Sequence, residues 1–224
     1  MPRLRPYTSA VPHPPSPPAG VALLIPVKAF SEAKSRLAEV LDPAQRARLA
    51  REMATIVVHA AAGMPVYVVC DDRTVATWAT EVGAEVLWRP GRGLNPAVSE
   101  GVSALRDRGF RRAVVAHSDL PLAERLDHIG AFDGVTIVPD RRDDGTNAIT
   151  VPTDVGFRFA YGPGSFRRHG AEARRLGLAL RVVRHARLGL DVDLPGDLAE
   201  ARASVGDLAG PDAGPPGTGP TPSA

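Results

Sequence analysis

Lys28 and Lys34 are the only lysines among the 27 Lys and Arg residues of this chain, and they stand six positions apart in L-I-P-V-K-A-F-S-E-A-K-S-R-L. Lysine is a compact point charge on a flexible stem, whereas arginine is a broad planar fork. A phosphate chain gripped in a tight space favours the compact head; the alternative is two surface lysines near a helix start. A carboxylate, Asp119, follows the apolar run A-V-V-A-H-S-D-L-P-L. At a strand end it suits Mg²⁺, which keeps several waters and takes one or two protein carboxylates plus substrate phosphates. The alternative is an Asp capping the helix expected after Pro121. Asp191 and Asp193, in D-V-D-L-P, form a second acidic site. Extended backbone would put both on one face, so the two sites could share a cation; helix capping by Asp193 is the other reading.

Small polar groups on tight backbone form a second class of candidates. In D-D-G-T-N, residues 143–147, Asp-Gly reads as a turn, with Gly145 supplying the bend and Thr146 a hydroxyl for an oxyanion. In F-A-Y-G-P-G-S-F, Gly162 and Gly164 let backbone approach a ligand. Ser165 then opens a helix whose N-terminal amides favour an anion. G-R-G-L-N-P, with Asn95, could close over a base and ribose or be an ordinary loop. His117 reads as structural, His169 as lying on a solvated helical face, and Cys70 as a buried small hydrophobe.

These residues need a frame that gathers them. Strands are expected at Val21–Ile25, Val66–Cys70, Glu85–Trp88, Ala113–Ala116, Val135–Val138, Ala148–Val151, Leu180–Val183 and Leu188–Val192. Helices are expected at Pro43–Ala61, Thr74–Val82, Pro96–Arg108, Ala123–Gly130, Phe166–Leu176 and Pro195–Ala203. Asp42 with Pro43 marks the first helix start. Alternation of this kind predicts an α/β fold: a mixed, mainly parallel sheet flanked by helices, with an antiparallel insertion in the second half. In such folds ligands bind at the carboxyl ends of the strands, where the loops after Ile25 and Ala116 emerge.

The bulk numbers narrow the classes. The chain has 224 residues, one good-sized domain with tails, and 27 bases nearly balance 25 acids. No basic run interleaved with aromatics points to nucleic acid. One cysteine excludes an intrachain disulfide framework and fits a cytoplasmic location. No apolar stretch is long enough to span a bilayer. The proline-rich segment 1–20 and the Pro/Gly-rich segment 206–224 lack the apolar residues to pack, leaving 21–205 as the working domain.

Taken together, P-V-K-A-F-S-E-A-K-S-R-L, G-L-N-P-A, H-S-D-L-P-L, D-D-G-T-N-A, Y-G-P-G-S-F-R-R-H and D-V-D-L-P-G-D-L resemble, in order, the motifs of the CofC/FbiD guanylyltransferases. The resemblance covers Val21 to about Ala203. It implies a single-domain nucleotidyltransferase fold of the nucleotide-diphospho-sugar transferase, GT-A type. It implies GTP-dependent activation of phosphoenolpyruvate or 2-phospho-L-lactate in coenzyme F-420 biosynthesis. It also implies Mg²⁺ at Asp119 and Asp191 with Asp193 nearby, and the phospho-acid at Thr146, Gly162 and Ser165. Lys28, Lys34 and Arg36 would grip the triphosphate, with Lys28 and Asp119 acting in catalysis and Asn95 on the nucleotide. Relatives often carry Thr where this chain has Leu194, so a hydroxyl contact expected there is absent. The Lys-poor, Ala/Arg/Gly/Pro-rich composition points by association to phosphoenolpyruvate as the acceptor.

Two rivals are weighed against this. Sugar-nucleotide and molybdopterin nucleotidyltransferases usually carry a Gly-rich first loop with an Arg, and Pro26-Val27-Lys28-Ala29-Phe30 stands there instead. A non-catalytic nucleotide-binding module would not need two separated acidic sites. Motifs do not reveal the oligomeric state.

Overall fold

The computed structural model describes residues 20–205; apart from Gly20, the segments expected to lack packed structure lie outside the described residues. Seven strands form one sheet in the order β3-β2-β1-β4-β6-β5-β7. They are β1 Val21–Pro26, β2 Val66–Cys70, β3 Glu85–Trp88, β4 Arg112–Ala116, β5 Val135–Pro139, β6 Thr146–Pro152 and β7 Leu180–Val182. Every pairing is parallel except those of β6, which runs antiparallel to both β4 and β5. The expected insertion is thus a single reversed strand. Its beginning, at Thr146, lies on the edge where β1 and β4 end, since Ala116 pairs with Ala148 and Pro139 with Thr146.

Five helices, α1 Pro43–His59, α2 Arg73–Glu81, α3 Leu94–Asp107, α4 Ser165–Arg175 and α5 Pro195–Val205, accompany the sheet. Strand periodicity of two divides the core. Val21, Leu23 and Ile25 of β1 pack with α1 and α2, while Ala22 and Leu24 pack with α3 and, through Ala173, with α4. Burying one such aliphatic side chain contributes about 1.5–3 kcal/mol, and β1 is buried on both faces. Gly101 lets α3 approach closely: a Cβ there would stand 2.7 Å from Leu24 Cδ2. The α1 start is as expected, with Pro43 in the first turn and Asp42 in a reciprocal capping box with Gln45.

Two expected elements are absent. Ala123–Gly130 is not an α-helix; only a short 3₁₀ turn, Asp127–Ala131, forms. Its backbone is recruited elsewhere: Leu126 N–H donates to Ala60 O at the end of α1 (2.8 Å). Leu188–Val192 is not a strand, and the last strand is β7. Leu188, Leu190 and Val192 are buried as an extended segment would bury them, but individual contacts replace a ladder. Leu188 O accepts from Asn147 Nδ2 (3.0 Å), Gly189 O accepts from Arg141 N–H, and Val192 N–H donates to Asp119 O (3.2 Å). That last bond brings the two acidic segments side by side.

Candidate active site

The loop after β1 is held down before it presents its lysines. Phe30 is buried edge-to-face against Trp78, with ring centroids 5.3 Å apart, and Leu37 and Leu41 are buried against α1 and α5. Lys34 lies between these anchors with φ 56°. A left-handed conformation costs a non-glycine residue about 1–2 kcal/mol, and it aims the side chain inward. Lys34 Nζ donates to Asp119 Oδ2 (2.7 Å) and to Asp193 Oδ1 (3.1 Å). Arg36 Nη1 stands 3.6 Å from Asp193 Oδ2. Lys28 is exposed and lines the same cleft.

The structure answers both capping alternatives. No α-helix follows Asp119, so its carboxylate caps nothing. The α5 start is served by Asp197, which is 1% exposed and accepts from the N–H groups of Asp193 (3.1 Å) and Leu194 (2.8 Å). Arg141 and Arg142 in turn hold Asp197. Asp193 is thereby positioned by its backbone and its carboxylate is left to the cleft.

Two clefts meet at this point. One, of about 540 Å³, runs from Pro26 and Lys28 to Asp119 and Asp193. The second, of about 360 Å³, holds Thr146, Asn147, Ser165 and Asp191. Arg36, His117, Asp119, Gly162 and Asp193 line both. A smaller hollow beside Lys28 is lined by Asp71, Arg89 and Leu94. The three follow the carboxyl edge of β2, β1 and β4 and the amino edge of β6, across the switch in strand order between β1 and β4.

The electrostatics are those of an acidic centre short of cations. Burial and the neighbouring Asp119 and Asp193 charges raise the Asp191 pKa. Burial works against the Asp119 carboxylate too, but Lys34, then His117, outweigh it and the pKa is lowered. Lys34 is opposed by its own burial, yet the two carboxylates raise its pKa above the ordinary lysine value. Asp119 Oδ1 is buried without a partner, the mark of an oxygen built for something the chain itself does not supply. Among the described residues no three His, Cys, Asp or Glu side chains form a ready metal cage. A cation here would need substrate oxygens to complete its shell, which suits a hard, octahedral ion.

The second cleft is wired differently. Ser165 Oγ donates to Thr146 Oγ1 (3.3 Å), and both residues are 2% exposed. Gly162 has φ 110°, a conformation closed to side-chain-bearing residues. The anion expected at the start of α4 is an internal one. Asp144 Oδ2 accepts from Gly164 N–H (2.9 Å), Asp144 O from Phe166 N–H and Gly162 O from Ser165 N–H. The first amides of α4 are thus already engaged, and the hydroxyls face the cleft. In the preceding turn Asp143, not Gly145, takes the left-handed conformation (φ 55°). At Gly145 the glycine eases packing instead, since a Cβ would meet the Asp140 Oδ2 side-chain tip at 3.0 Å.

Of the residues singled out from sequence, Lys28, Lys34, Arg36, Asp119 and Asp193 share the first cleft, and Thr146, Gly162, Ser165 and Asp191 the second. Asn95 is in neither; its Oδ1 accepts from Tyr161 N–H (2.6 Å), tying α3 to the glycine loop. His169 does not face solvent. It is 0% exposed and packs against Phe157, Phe159 and Tyr161. Its spacing four residues beyond Ser165, one helical turn on the same face, was the available signal. Asp197, three residues past Leu194, likewise stands where a reach-back cap belongs. Asp144 has no comparable signal.

Comparisons with known proteins give a consistent answer. Residues 21–203 match the model of a family described as "Guanylyl transferase CofC like". A phosphoenolpyruvate guanylyltransferase of Rubrobacter xylanophilus is 37% identical over 195 residues, covering 83% of this chain and 95% of that protein. One from Sphaerobacter thermophilus is 37% identical over 186 residues, covering 79% and 90%. Among solved structures, a nucleotidyl transferase from Methanothermobacter superposes with a TM-score of 0.57 at 16% identity, covering 82% of this chain and 96% of that one. A cytidylyltransferase from Leptospira borgpetersenii gives 0.55 at 12%, covering 85% and 89%. The fold is that of the nucleotide-diphospho-sugar transferases, and the chain belongs to the CofC-like guanylyl transferase family.

Proposed function

We propose that this chain joins the GMP part of GTP to phosphoenolpyruvate with release of pyrophosphate, forming enolpyruvoyl-diphospho-guanosine for coenzyme F-420 biosynthesis. The observation that carries the reading is the meeting of two clefts at Asp119 and Asp193, one bordered by both lysines and the other by Thr146, Gly162 and Ser165. Two relatives at 37% identity bear the name phosphoenolpyruvate guanylyltransferase. The triphosphate lies along Lys28, Lys34 and Arg36. The hollow beside Lys28 takes the base end, while Asn95 acts from outside it by fixing the glycine loop of the second cleft. The phospho-acid lies over Thr146, Gly162 and Ser165, its phosphate towards Asp119 and its carboxylate towards the Thr146 hydroxyl, which Ser165 supports from behind.

The acceptor's phosphate oxygen attacks the α-phosphorus of GTP, a new P–O bond forms, and the bond to pyrophosphate breaks. That oxygen is already anionic at neutral pH, so no general base is required. What the chain supplies is alignment of attacker and leaving group, with positive charge and hydrogen bonds where charge shifts. Lys28 neutralises the leaving phosphates. Lys34, now on Asp119 and Asp193, is within its own stem's reach of the same oxygens. Asp119, Asp191 and Asp193 fit Mg²⁺: an acidic centre with a buried unpartnered oxygen and too few ligands for a closed cage. Bound there, Mg²⁺ would neutralise and orient phosphate oxygens.

Incubation of the purified protein with GTP, Mg²⁺ and each phospho-acid separately, with pyrophosphate measured and the product identified by mass, tests the proposal. Turnover with phosphoenolpyruvate is expected. Turnover with 2-phospho-L-lactate alone would overturn the acceptor assignment, and GTP binding without turnover would overturn the enzyme.

A further inference from the structure

The reading of the second cleft as the acceptor site leaves one buried group unexplained, His169. It belongs to α4, not to the cleft lining, and a phenylalanine would fill the same apolar space among Phe157, Phe159 and Tyr161. Its two ring nitrogens are nevertheless both engaged. Nε2 accepts from Ala160 N–H (2.9 Å), and Nδ1 lies 3.0 Å from Thr146 Oγ1. A nitrogen that accepts carries no proton, so in the neutral ring the proton sits on Nδ1 and is donated to Thr146. Thr146 Oγ1 then accepts twice, from His169 and from Ser165. A hydroxyl has two lone pairs and one hydrogen. With both lone pairs filled by the protein, its hydrogen is directed to the remaining side, which is the cleft.

We propose that His169 is a positioning residue of the acceptor site: by donating to Thr146 and accepting from Ala160, it makes Thr146 an obligate donor towards the acceptor's anionic group and fixes the backbone entering the Tyr161–Gly164 loop. Without it Thr146 could turn its hydrogen inward and offer the anion a lone pair. The role rests on the acceptor reading of the second cleft, so the test must separate the two.

Two amide isosteres divide the histidine. Asparagine places an N–H near the position of Nδ1 and loses the bond to Ala160. Glutamine can reach Ala160 with its oxygen and loses the donor to Thr146. His169→Gln is expected to raise the Michaelis constant for phosphoenolpyruvate roughly tenfold, the scale of a lost hydrogen bond to a charged group, with that for GTP unchanged. His169→Asn is expected to raise it about threefold or less. Equal values for His169→Gln and wild type, or parallel changes in both substrates' constants, would overturn the role. Thr146→Val serves as reference. If it leaves phosphoenolpyruvate use unaffected, the acceptor reading itself fails, whereas a Thr146→Val effect without a His169→Gln effect sinks only the histidine. Should the glutamine variant not fold, long-range ¹H–¹⁵N correlation of the wild-type imidazole decides. Protonation at Nδ1 supports the arrangement, and protonation at Nε2 excludes it.

Discussion

The half of the molecule built on β1, β2 and β3 and the half built on β4, β6 and β5 serve the same edge by opposite means. In the first, all strands are parallel and the cleft is furnished by a loop leaving a strand end, which carries Lys28, Lys34 and Arg36 and is pinned by Phe30 and Leu37. Its candidate groups are charges, and Lys28 is exposed. In the second, the reversed strand β6 brings its first residue to the edge, and the groups proposed to meet the acceptor, Thr146 and Ser165, are neutral, buried and bonded to one another. Charge acts over distance and tolerates some misplacement. A buried hydrogen-bond network does not, because a lost partner leaves a desolvated group unsatisfied.

Variants can break or sharpen that contrast. The largest effect is expected at the junction, where both halves converge. Asp119→Asn should lower turnover roughly a hundred- to a thousand-fold, the usual scale for one lost transition-state contact, while circular dichroism shows the fold retained. Wild-type-like activity at limiting Mg²⁺ would remove Asp119 from the site. Next come changes in the second half. At φ 110° a branched side chain is forbidden, so Gly162→Val should cripple phosphoenolpyruvate use. Ser165→Ala should weaken it by about 1–2 kcal/mol, because it removes the donor that fills one lone pair of Thr146 and keeps that hydroxyl's hydrogen towards the cleft. Equilibrium binding of GTP should stay unchanged in Ser165→Ala, the variant that decides, since Gly162 also borders the first cleft; a loss of GTP binding in Ser165→Ala would show that the halves are not separable.

In the first half the expected effects are smaller and of the opposite selectivity. Lys28→Arg and Lys34→Arg keep the charge but widen the head, so the Michaelis constant for GTP should rise several-fold with that for phosphoenolpyruvate little changed. Two variants indistinguishable from wild type would remove the lysines from the triphosphate grip. The last effect concerns stability rather than turnover. Burial, then the neighbouring Arg168 and His117, push the His169 pKa down to about 4 from 6.5. The unfolded chain therefore binds a proton that the folded one refuses between those values. This contribution to stability is full above pH 6.5 and is lost as pH falls towards 4, by about 3 kcal/mol at most. His169→Asn and His169→Gln should flatten the dependence of Tm on pH across that window. An unchanged slope would show that His169 titrates normally.

The sheet was legible where apolar runs were short and bounded, as at Val66–Cys70 and Glu85–Trp88, whose limits the structure reproduces. It was misread where apolar residues are buried by contacts that period alone cannot reveal. Leu188–Val192 alternates like a strand but spends its backbone on Asn147, Arg141 and Asp119. Ala123–Gly130 is spaced like a helix but gives Leu126 N–H to α1. Candidate site residues carrying charge or a special backbone could be picked out locally. For His169 the turn it shares with Ser165 signalled only its inward face; its significance lies in Thr146, 23 residues away along the chain, and Asp144 matters only once Gly164 folds onto it.

The ammonium of Lys34 has a consequence for how the protein comes into being. Bringing Asp119 and Asp193 together from distant parts of the chain opposes folding by like-charge repulsion, and many metalloproteins resolve this by folding only around their ion. Here a tethered cation, 2.7 and 3.1 Å from the two carboxylates, arrives with the polypeptide itself. The newly made chain can therefore reach its final shape in a metal-poor environment and load its reactants afterwards. A chelator should arrest its chemistry while leaving its melting temperature where it was.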